Sequence, residues 1–319
     1  MQPPAAFILA AGLGTRLAPL TELLPKPLVP VFHKPLITFT LDSLIDSGFG
    51  PISLNTHHLP QAFEEAFGKA PSYRGRSLSL FHERLLLDTG GGIRNARSAL
   101  GEGTFLVYNG DILGDLPLKE LLAQHRSLGR LATLLLRPSG GKANVRFETG
   151  DGSILDLRGK LGANGGTDCV YSGIALFEPE IFRWIAPEGP CSIIDALLLA
   201  MREGKRIGGM LCKEGLWIDL GTPEAYIEAH RILLDPTQRP SYDTGHDWPQ
   251  EIHPEACVED SATLSGMVSL GPGAVVGKNA VIKDSILWPG SVIAEGAILE
   301  GCIVRGDRPV NGSHRGEVL

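Results

Sequence analysis

The stretch Ala5–Leu17 reads AAFILAAGLGTRL. Its apolar run, Ala5–Ala10, is short and ends at glycines, the pattern of a buried strand that closes in a turn. Gly12 and Gly14 follow at once, where bare backbone N–H groups can approach phosphate oxygens closely. No Gly-Lys-Ser/Thr follows, so this is not a P-loop. Leu17 stands where the third glycine of G-x-G-x-x-G belongs, so the dinucleotide fingerprint is incomplete. Two cations give the stretch its chemistry. Arg16 can clamp a polyphosphate through two parallel hydrogen bonds. Lys26 sits between Pro25 and Pro27, a point charge on a stiffened segment.

Outward from this stretch, strands and helices alternate. Pro35 opens a helical pattern over Leu36–Ser47. Ile52–Asn55 reads as a strand, Leu59–Phe67 as a helix, and Leu78–Phe81 and Phe105–Tyr108 as β runs. Leu116–Leu128 is helical and Leu131–Leu136 is β again. This order predicts an α/β, Rossmann-like doubly wound domain with a mostly parallel sheet. Ligands of such folds bind outside the carboxyl ends of the strands. Residues 137–171, richer in glycine and polar side chains, read as a β-rich insertion.

The chain changes character after about residue 235. Pro236, Pro240, Gly245 and Pro249 lie in a polar, aperiodic stretch, read as a linker over 236–251. A repeat follows. Aliphatic residues recur every six positions at Ile252, Val258, Leu264, Leu270, Val276 and Ile282, slip by one, and continue at Leu287, Ile293 and Leu299. Small residues precede most of them by two: Ala256, Ala262, Ala274, Ala280, Ser291 and Ala297, with Ser285 keeping the place across the slip. Hexapeptide periodicity predicts a short parallel β-helix over 252–306, three hexads to a coil, and the repeats resemble the left-handed hexapeptide-repeat helices. The expected organisation is a catalytic domain over 1–235, the linker, the β-helix, and a polar, mobile tail over 307–319.

With 319 residues, the length prior is about two domains. The formal net charge of −7 argues against a general nucleic-acid binder, which is usually basic. No apolar run reaches about 18 residues, so no membrane span is expected. Met1-Gln2-Pro3-Pro4 lacks the basic start of a signal peptide. Five cysteines without a Cys-x-x-Cys pair suggest neither a disulfide framework nor a zinc site. A cytoplasmic setting follows.

At this point the chain resembles a family. Gly12-Leu13-Gly14-Thr15-Arg16-Leu17 with Pro25-Lys26-Pro27-Leu28 is similar to the N-terminal motif of the sugar-1-phosphate nucleotidyltransferases. Asn109-Gly110-Asp111 resembles their metal-binding Asp motif, and Tyr171-Ser172-Gly173-Ile174 their sugar-pocket motif. Trp217-Ile218-Asp219-Leu220-Gly221-Thr222-Pro223 resembles a second metal-binding Asp motif. The four matches stand in the family's order over about residues 5–234. The implied reaction joins an NTP to a sugar 1-phosphate, giving an NDP-sugar and pyrophosphate. The attacking phosphate is already an anion, so orientation and charge neutralisation suffice. The resemblance implies Arg16 and Lys26 as catalytic cations and Asp111 and Asp219 as ligands of Mg²⁺, a hard ion that prefers oxygen. Ala10, Gly12, Gly14 and Thr15 would hold the nucleotide. Asn109, Asn144 and Gly173 would line the sugar-phosphate side, with Lys160 on the phosphate. Arg158-Gly159-Lys160 departs there from the family's Glu-Lys-Pro.

Glu83, Gly90 and Gly91 are the candidate base site. A Glu83 carboxylate could accept both N–H donors on guanine's Watson–Crick edge, which argues for GTP. The Thr89-Gly90-Gly91-Gly92 run also resembles N-acetylmuramate-1-phosphate uridylyltransferases and heptose-phosphate guanylyltransferases, whereas the repeat tail resembles mannose-1-phosphate guanylyltransferases. GTP and UTP both stay open. Only His253 lies among the hexads, which argues against an acyltransferase site. The β-helix is expected to serve assembly, homo-oligomers included, or regulation. The alternative reading is a non-catalytic, sugar-nucleotide-binding regulatory subunit.

Overall fold

The computed structural model describes residues 3–242 and 250–319. Met1 and Gln2, and Gly245 and Pro249 of the expected linker, lie outside the described residues. The chain forms two compact units. One is built from Met1–Leu13 and Thr40–Trp217, the other from Gly14–Phe39 and Ile218–Leu319.

The first unit is organised on a ten-stranded sheet. Its strands are β1 (Ala5–Leu9), β2 (Ile52–Thr56), β3 (Ser72–Tyr73), β4 (Arg76–His82), β5 (Phe105–Asn109), β6 (Ala132–Arg137), β7 (Val145–Glu148), β8 (Ser153–Leu157), β9 (Thr167–Phe177) and β10 (Ile207–Leu211), in the order β7-β8-β10-β6-β9-β5-β1-β2-β4-β3. Strand β1 is buried nearly throughout and pairs in parallel with β2 and β5, as its unbroken apolar run requires for a strand covered on both faces. Strands β2 and β4, and β6 and β10, are also parallel. The edge strand β3 pairs antiparallel with β4, β8 runs antiparallel to β7 and β10, and the long strand β9 breaks the parallel pattern at the centre. It runs antiparallel between β5 and β6, and its register breaks between Tyr171 and Ala175, where Gly173 takes φ +85°. Residues 137–171 form β7, β8 and the start of β9, the β-rich insertion the sequence predicts.

Helix α1 (Leu36–Asp46) runs from the second unit's segment into this one, and helices α2 (Gln61–Phe67), α3 (Asp88–Asn95), α4 (Leu118–Leu128) and α5 (Ile193–Arg202) belong to this unit. The core beneath α5 is formed by Phe7, Phe105, Val107, Leu134, Ile193 and Leu197, all at most 4% exposed. Each such apolar side chain contributes roughly 1.5–3 kcal/mol. Ser192 caps α5, its hydroxyl accepting from the Ile194 N–H at 3.2 Å.

The second unit holds the Gly14–Phe39 segment, helix α6 (Pro223–Leu234) and the repeats. The repeats are a left-handed parallel β-helix. On one face Cys257–Val258 pairs with Val275–Val276, which pairs with Val292–Ile293. Thr263–Ser265, Val281–Lys283, Ile298–Glu300 and Ser313–Arg315 stack on the second face, and Ser269–Leu270, Ile286–Leu287 and Ile303–Val304 on the third. Leu270, Val276, Ile282, Leu287, Ile293 and Leu299 fill the interior at 1% exposure or less. The small positions Ala274, Ala280, Ser285, Ser291 and Ala297 are fully buried at the corners. Ile252, at the open end, is 41% exposed.

The tail departs from expectation. Val310 bridges to Ile293, Ser313–Arg315 pairs with Ile298–Glu300, and Val318 bridges to Ile303. The last residues therefore wind another turn onto the β-helix. Their polar composition hid this, because Val310 and Val318 are too few to mark a hexad and the repeat shortens there.

Candidate active site

In the first unit, the carboxyl ends of β1 and β5 lie side by side, with Leu9 opposite Asn109. Gly110 donates its N–H to the Leu9 carbonyl at 2.9 Å, and a side chain at Gly110 would come within 3.0 Å of that oxygen. This turn carries Asp111 outward, half-buried. On the other side of Asn109 is Gly173, where an added Cβ would lie 2.7 Å from Asn109 Nδ2. Asn109 and Gly173 of the expected sugar-phosphate side are thus in contact. Asn144 joins them through β9, its Oδ1 accepting from the Tyr171 N–H at 2.9 Å. Lys160 is exposed, and its own N–H is bonded to Asp156 Oδ1.

The backbone after β1 is held by a residue the sequence reading did not single out. Asn55, at the end of β2, accepts the N–H groups of Ala10 and Ala11 at 2.7 and 3.2 Å through one side-chain oxygen. Its amide nitrogen donates to Glu83 Oε1 at 2.8 Å, and Glu83 Oε2 accepts from the Leu87 N–H at 2.9 Å. Glu83 is 2% exposed, so both oxygens of the expected base reader are engaged inside the protein. The buried carboxylate is stabilised by these partners, as burial demands. No local pattern marks Asn55; its role comes from β2 pairing in parallel with β1.

The glycines Gly90, Gly91 and Gly92 lie in the first half of α3. They are glycines for close packing. A Cβ at Gly90 would lie 2.9 Å from the Cys191 carbonyl. One at Gly91 would meet Leu87 at 2.9 Å, and one at Gly92 would meet Asn55 at 2.7 Å and Glu83 at 3.0 Å. Gly12, by contrast, is exposed with open space around it.

The second unit gathers the cations. Gly14 takes φ +64°, and a Cβ there would strike Thr21 at 2.7 Å and Lys26 at 3.1 Å. Thr15, exposed, begins a short 3-10 turn that presents Arg16. A further 3-10 turn, Lys26–Leu28, follows Pro25 and buries Lys26 to 7% exposure. Lys26 Nζ lies 3.5 Å from Asp219 Oδ1, and Arg16 Nη2 lies 3.7 Å from Asp219 Oδ2. Asp219 precedes Gly221, where a Cβ would fall 2.9 Å from Arg16 Nη1. Thr222 then caps α6, accepting from the Ala225 N–H at 3.3 Å.

Behind this cluster, α6 fixes the same segment from below. His230 is fully buried; its Nε2 accepts from the Phe32 N–H at 3.2 Å and its Nδ1 donates to the Tyr226 carbonyl at 2.9 Å. Desolvation pushes its pKa down to about 4, so the ring is neutral. The Tyr226 hydroxyl donates to the Pro30 carbonyl and accepts from Trp288 Nε1, at 3.1 Å. Arg305, on the β-helix, pairs with Glu22 at 3.2 Å. His253 packs edge-on against His33, a structural contact.

Among the described residues, no group of three or more His, Cys, Asp or Glu side chains is placed to hold a metal ion. Single aspartates with oxygen donors fit a cation such as Mg²⁺, which takes one or two carboxylates and keeps waters and substrate phosphates as its other ligands. Asp219 fits that role: it is 36% exposed, and its two cationic neighbours stand at loose distances. No helix is long and apolar enough to cross a membrane among the described residues.

Residues 5–235 match the nucleotidyl transferase family, and the chain belongs to it as a sugar-1-phosphate nucleotidyltransferase. A mannose-1-phosphate guanylyltransferase of Mycobacterium tuberculosis is 30% identical over 92% of this chain and 82% of its own. An N-acetylmuramate alpha-1-phosphate uridylyltransferase of Neisseria meningitidis serogroup B is 36% identical, over 68% of this chain and 93% of its own. Among solved structures, a UDP-glucose pyrophosphorylase from Acinetobacter baumanii superposes with a TM-score of 0.61 at 19% identity, covering 74% of this chain and 95% of that one, which speaks to the fold alone.

Proposed function

We propose that this chain is a catalytically active, Mg²⁺-dependent nucleotidyltransferase that makes an NDP-sugar and pyrophosphate from GTP or UTP and a sugar 1-phosphate. The observation that carries the reading is the Arg16–Asp219–Lys26 arrangement, a carboxylate held between two cations on glycine- and proline-shaped backbone.

In this reading Lys26 holds the α-phosphate and meets the charge that develops there as the sugar phosphate oxygen attacks. Arg16, 67% exposed, neutralises the leaving pyrophosphate. Asp111 and Asp219 hold the Mg²⁺, which when bound neutralises phosphate charge and orients the reacting oxygens. The glycine turn at Gly12 and Gly14, with Thr15, brings backbone N–H groups to the polyphosphate. Ala10, Gly90 and Gly91 form the floor of the nucleoside site. Glu83 acts at one remove by fixing Asn55, which fixes the turn at Ala10 and Ala11. Asn109, Asn144 and Gly173 hold the sugar, and Lys160 its phosphate. The protein acts in the cytoplasm, and the β-helix carries any self-association.

The relatives' printed names offer both guanine and uracil, so the base is tested directly. The experiment is pyrophosphate release by the intact chain with Mg²⁺, pairing GTP, UTP, dTTP, CTP and ATP with a panel of sugar 1-phosphates. One productive pair fixes base and sugar together. Silence across the panel, from folded protein that binds a sugar nucleotide, reverses the reading in favour of a regulatory subunit.

A further inference from the structure

The β-rich insertion forms a half-open cleft of about 680 Å³ in the first unit. Its charged lining is Lys142, Arg146, Asp156, Arg158 and Asp168, with Asn144 among its amides. The register explains why these residues meet. Arg146 on β7 lies opposite Asp156 on β8 and Asp168 on β9, so all three side chains share one face. Val145, Phe147, Leu157 and Cys169 take the other face and are buried in the core.

The charges do not cancel. Asp168 is paired with Arg146, whose Nε lies 3.1 Å from Oδ1. Asp156 is 4% exposed, and its carboxylate is occupied by the N–H groups of Lys160, Leu161 and Ala163 at 2.8, 3.0 and 3.3 Å. Lys142 and Arg158 remain, and among the described residues neither is within ion-pair distance of a carboxylate. Both are exposed at the mouth of the cleft, where cations without a carboxylate partner offer an anion charge-assisted hydrogen bonds.

The cleft is continuous with the sugar-phosphate residues. Arg158 donates its N–H to the Asn144 carbonyl at 2.7 Å, and Asn144 in turn accepts from Tyr171, two residues before Gly173. Lys160, the lysine expected on the phosphate, is not part of the lining. The volume far exceeds what a lone phosphate needs.

We infer that Lys142 and Arg158 bind a second anionic group on the sugar, so that the acceptor is an acidic sugar 1-phosphate carrying a carboxylate or a further phosphate. The inference rests on the nucleotidyltransferase reading and narrows its substrate class.

The test uses the intact chain with Mg²⁺ and its NTP. Matched pairs of acceptors are compared in gluco, manno and galacto configuration: each hexose 1-phosphate against its uronic acid 1-phosphate and its 1,6-bisphosphate. The acidic member of a pair is expected to have a kcat/KM at least about tenfold higher, the scale of one charged hydrogen bond. Lys142→Gln and Arg158→Gln each cut that preference by about tenfold and change the neutral acceptor's kcat/KM by less than about twofold, while Arg158→Lys keeps most of it. A preference for neutral acceptors, or a ratio that both Gln variants leave unchanged, overturns the inference while the transferase reading stands. If no pair releases pyrophosphate, binding is measured by calorimetry with the NTP's non-hydrolysable analogue present. Tighter, Arg158-dependent binding of the acidic member then keeps the cleft assignment and removes the transferase reading. Equal binding removes both.

Discussion

Lys26 Nζ stands 3.5 Å from Asp219 Oδ1, a nearly buried cation facing a carboxylate that is 36% exposed. The distance is long for a charge-assisted hydrogen bond, whose usual length is about 2.7–2.9 Å. In the proposed reading a phosphate oxygen replaces this loose contact. The two prolines around Lys26 keep the backbone from relaxing when that happens.

The first prediction follows from this pair. Lys26→Ala lowers kcat by about 10²–10³-fold, the cost of losing one preorganised donor to developing charge. The far-ultraviolet circular dichroism is unchanged. Steady-state kinetics check it, and a KM effect with kcat intact would assign Lys26 to ground-state binding only.

Metal dependence gives the second. Pyrophosphate release stops in excess EDTA and returns with Mg²⁺. Asp111→Asn raises the Mg²⁺ concentration for half-maximal rate by at least about tenfold, since even outer partners of metal ligands cost 10–100-fold. A Mg²⁺ titration of wild type and variant measures this. Unchanged half-saturation would remove Asp111 from the metal site.

Two glycines make the third. A Cβ at Gly92 would lie 2.7 Å from Asn55 Nδ2 and 3.0 Å from Glu83 Oε1, whereas one at Gly12 meets nothing within 4 Å. Gly92→Ala therefore costs about 1–3 kcal/mol of stability through overpacking. Gly12→Ala leaves the melting temperature within about a degree or two, as unstrained surface changes do, and weakens NTP binding. Thermal melts and NTP titrations of the two variants separate fold from ligand contact.

These glycines also show what the sequence could convey. The strand-turn motif at Ala5–Leu17 and the six-residue period were legible because local pattern alone sets them. Asn55 was not, because its role comes from β2 lying parallel to β1, which brings its side chain to Ala10, 45 positions away. Glu83 looked like a base reader because a carboxylate near glycines offers the right acceptors. Whether those acceptors are free is a tertiary fact, and here Asn55 and the Leu87 N–H occupy them. The tail failed as a reading for a related reason: Val310 and Val318 gain meaning only when stacked on Ile293 and Ile303.

His230 supplies the fourth prediction. Burial lowers its pKa from 6.5 to about 4 in the folded protein. The unfolded chain binds the proton first as pH falls, so the group's contribution is complete above pH 6.5. It is lost progressively between pH 6.5 and 4, by about 3 kcal/mol in all. Urea melts at pH 7 and pH 5 should therefore show a smaller loss of stability in His230→Gln than in the wild type. An identical loss would place the acid sensitivity elsewhere.

The most direct test follows the α-phosphorus itself. The intact chain is given Mg²⁺, a sugar 1-phosphate and NTP labelled at the α-phosphate, across the panel of bases and sugars. The account predicts that the label passes into an NDP-sugar in step with pyrophosphate release, and that Lys26→Ala and Asp111→Asn slow both together. Label retained in NTP for every pair, or released as free nucleoside monophosphate, would contradict nucleotidyl transfer to a sugar phosphate.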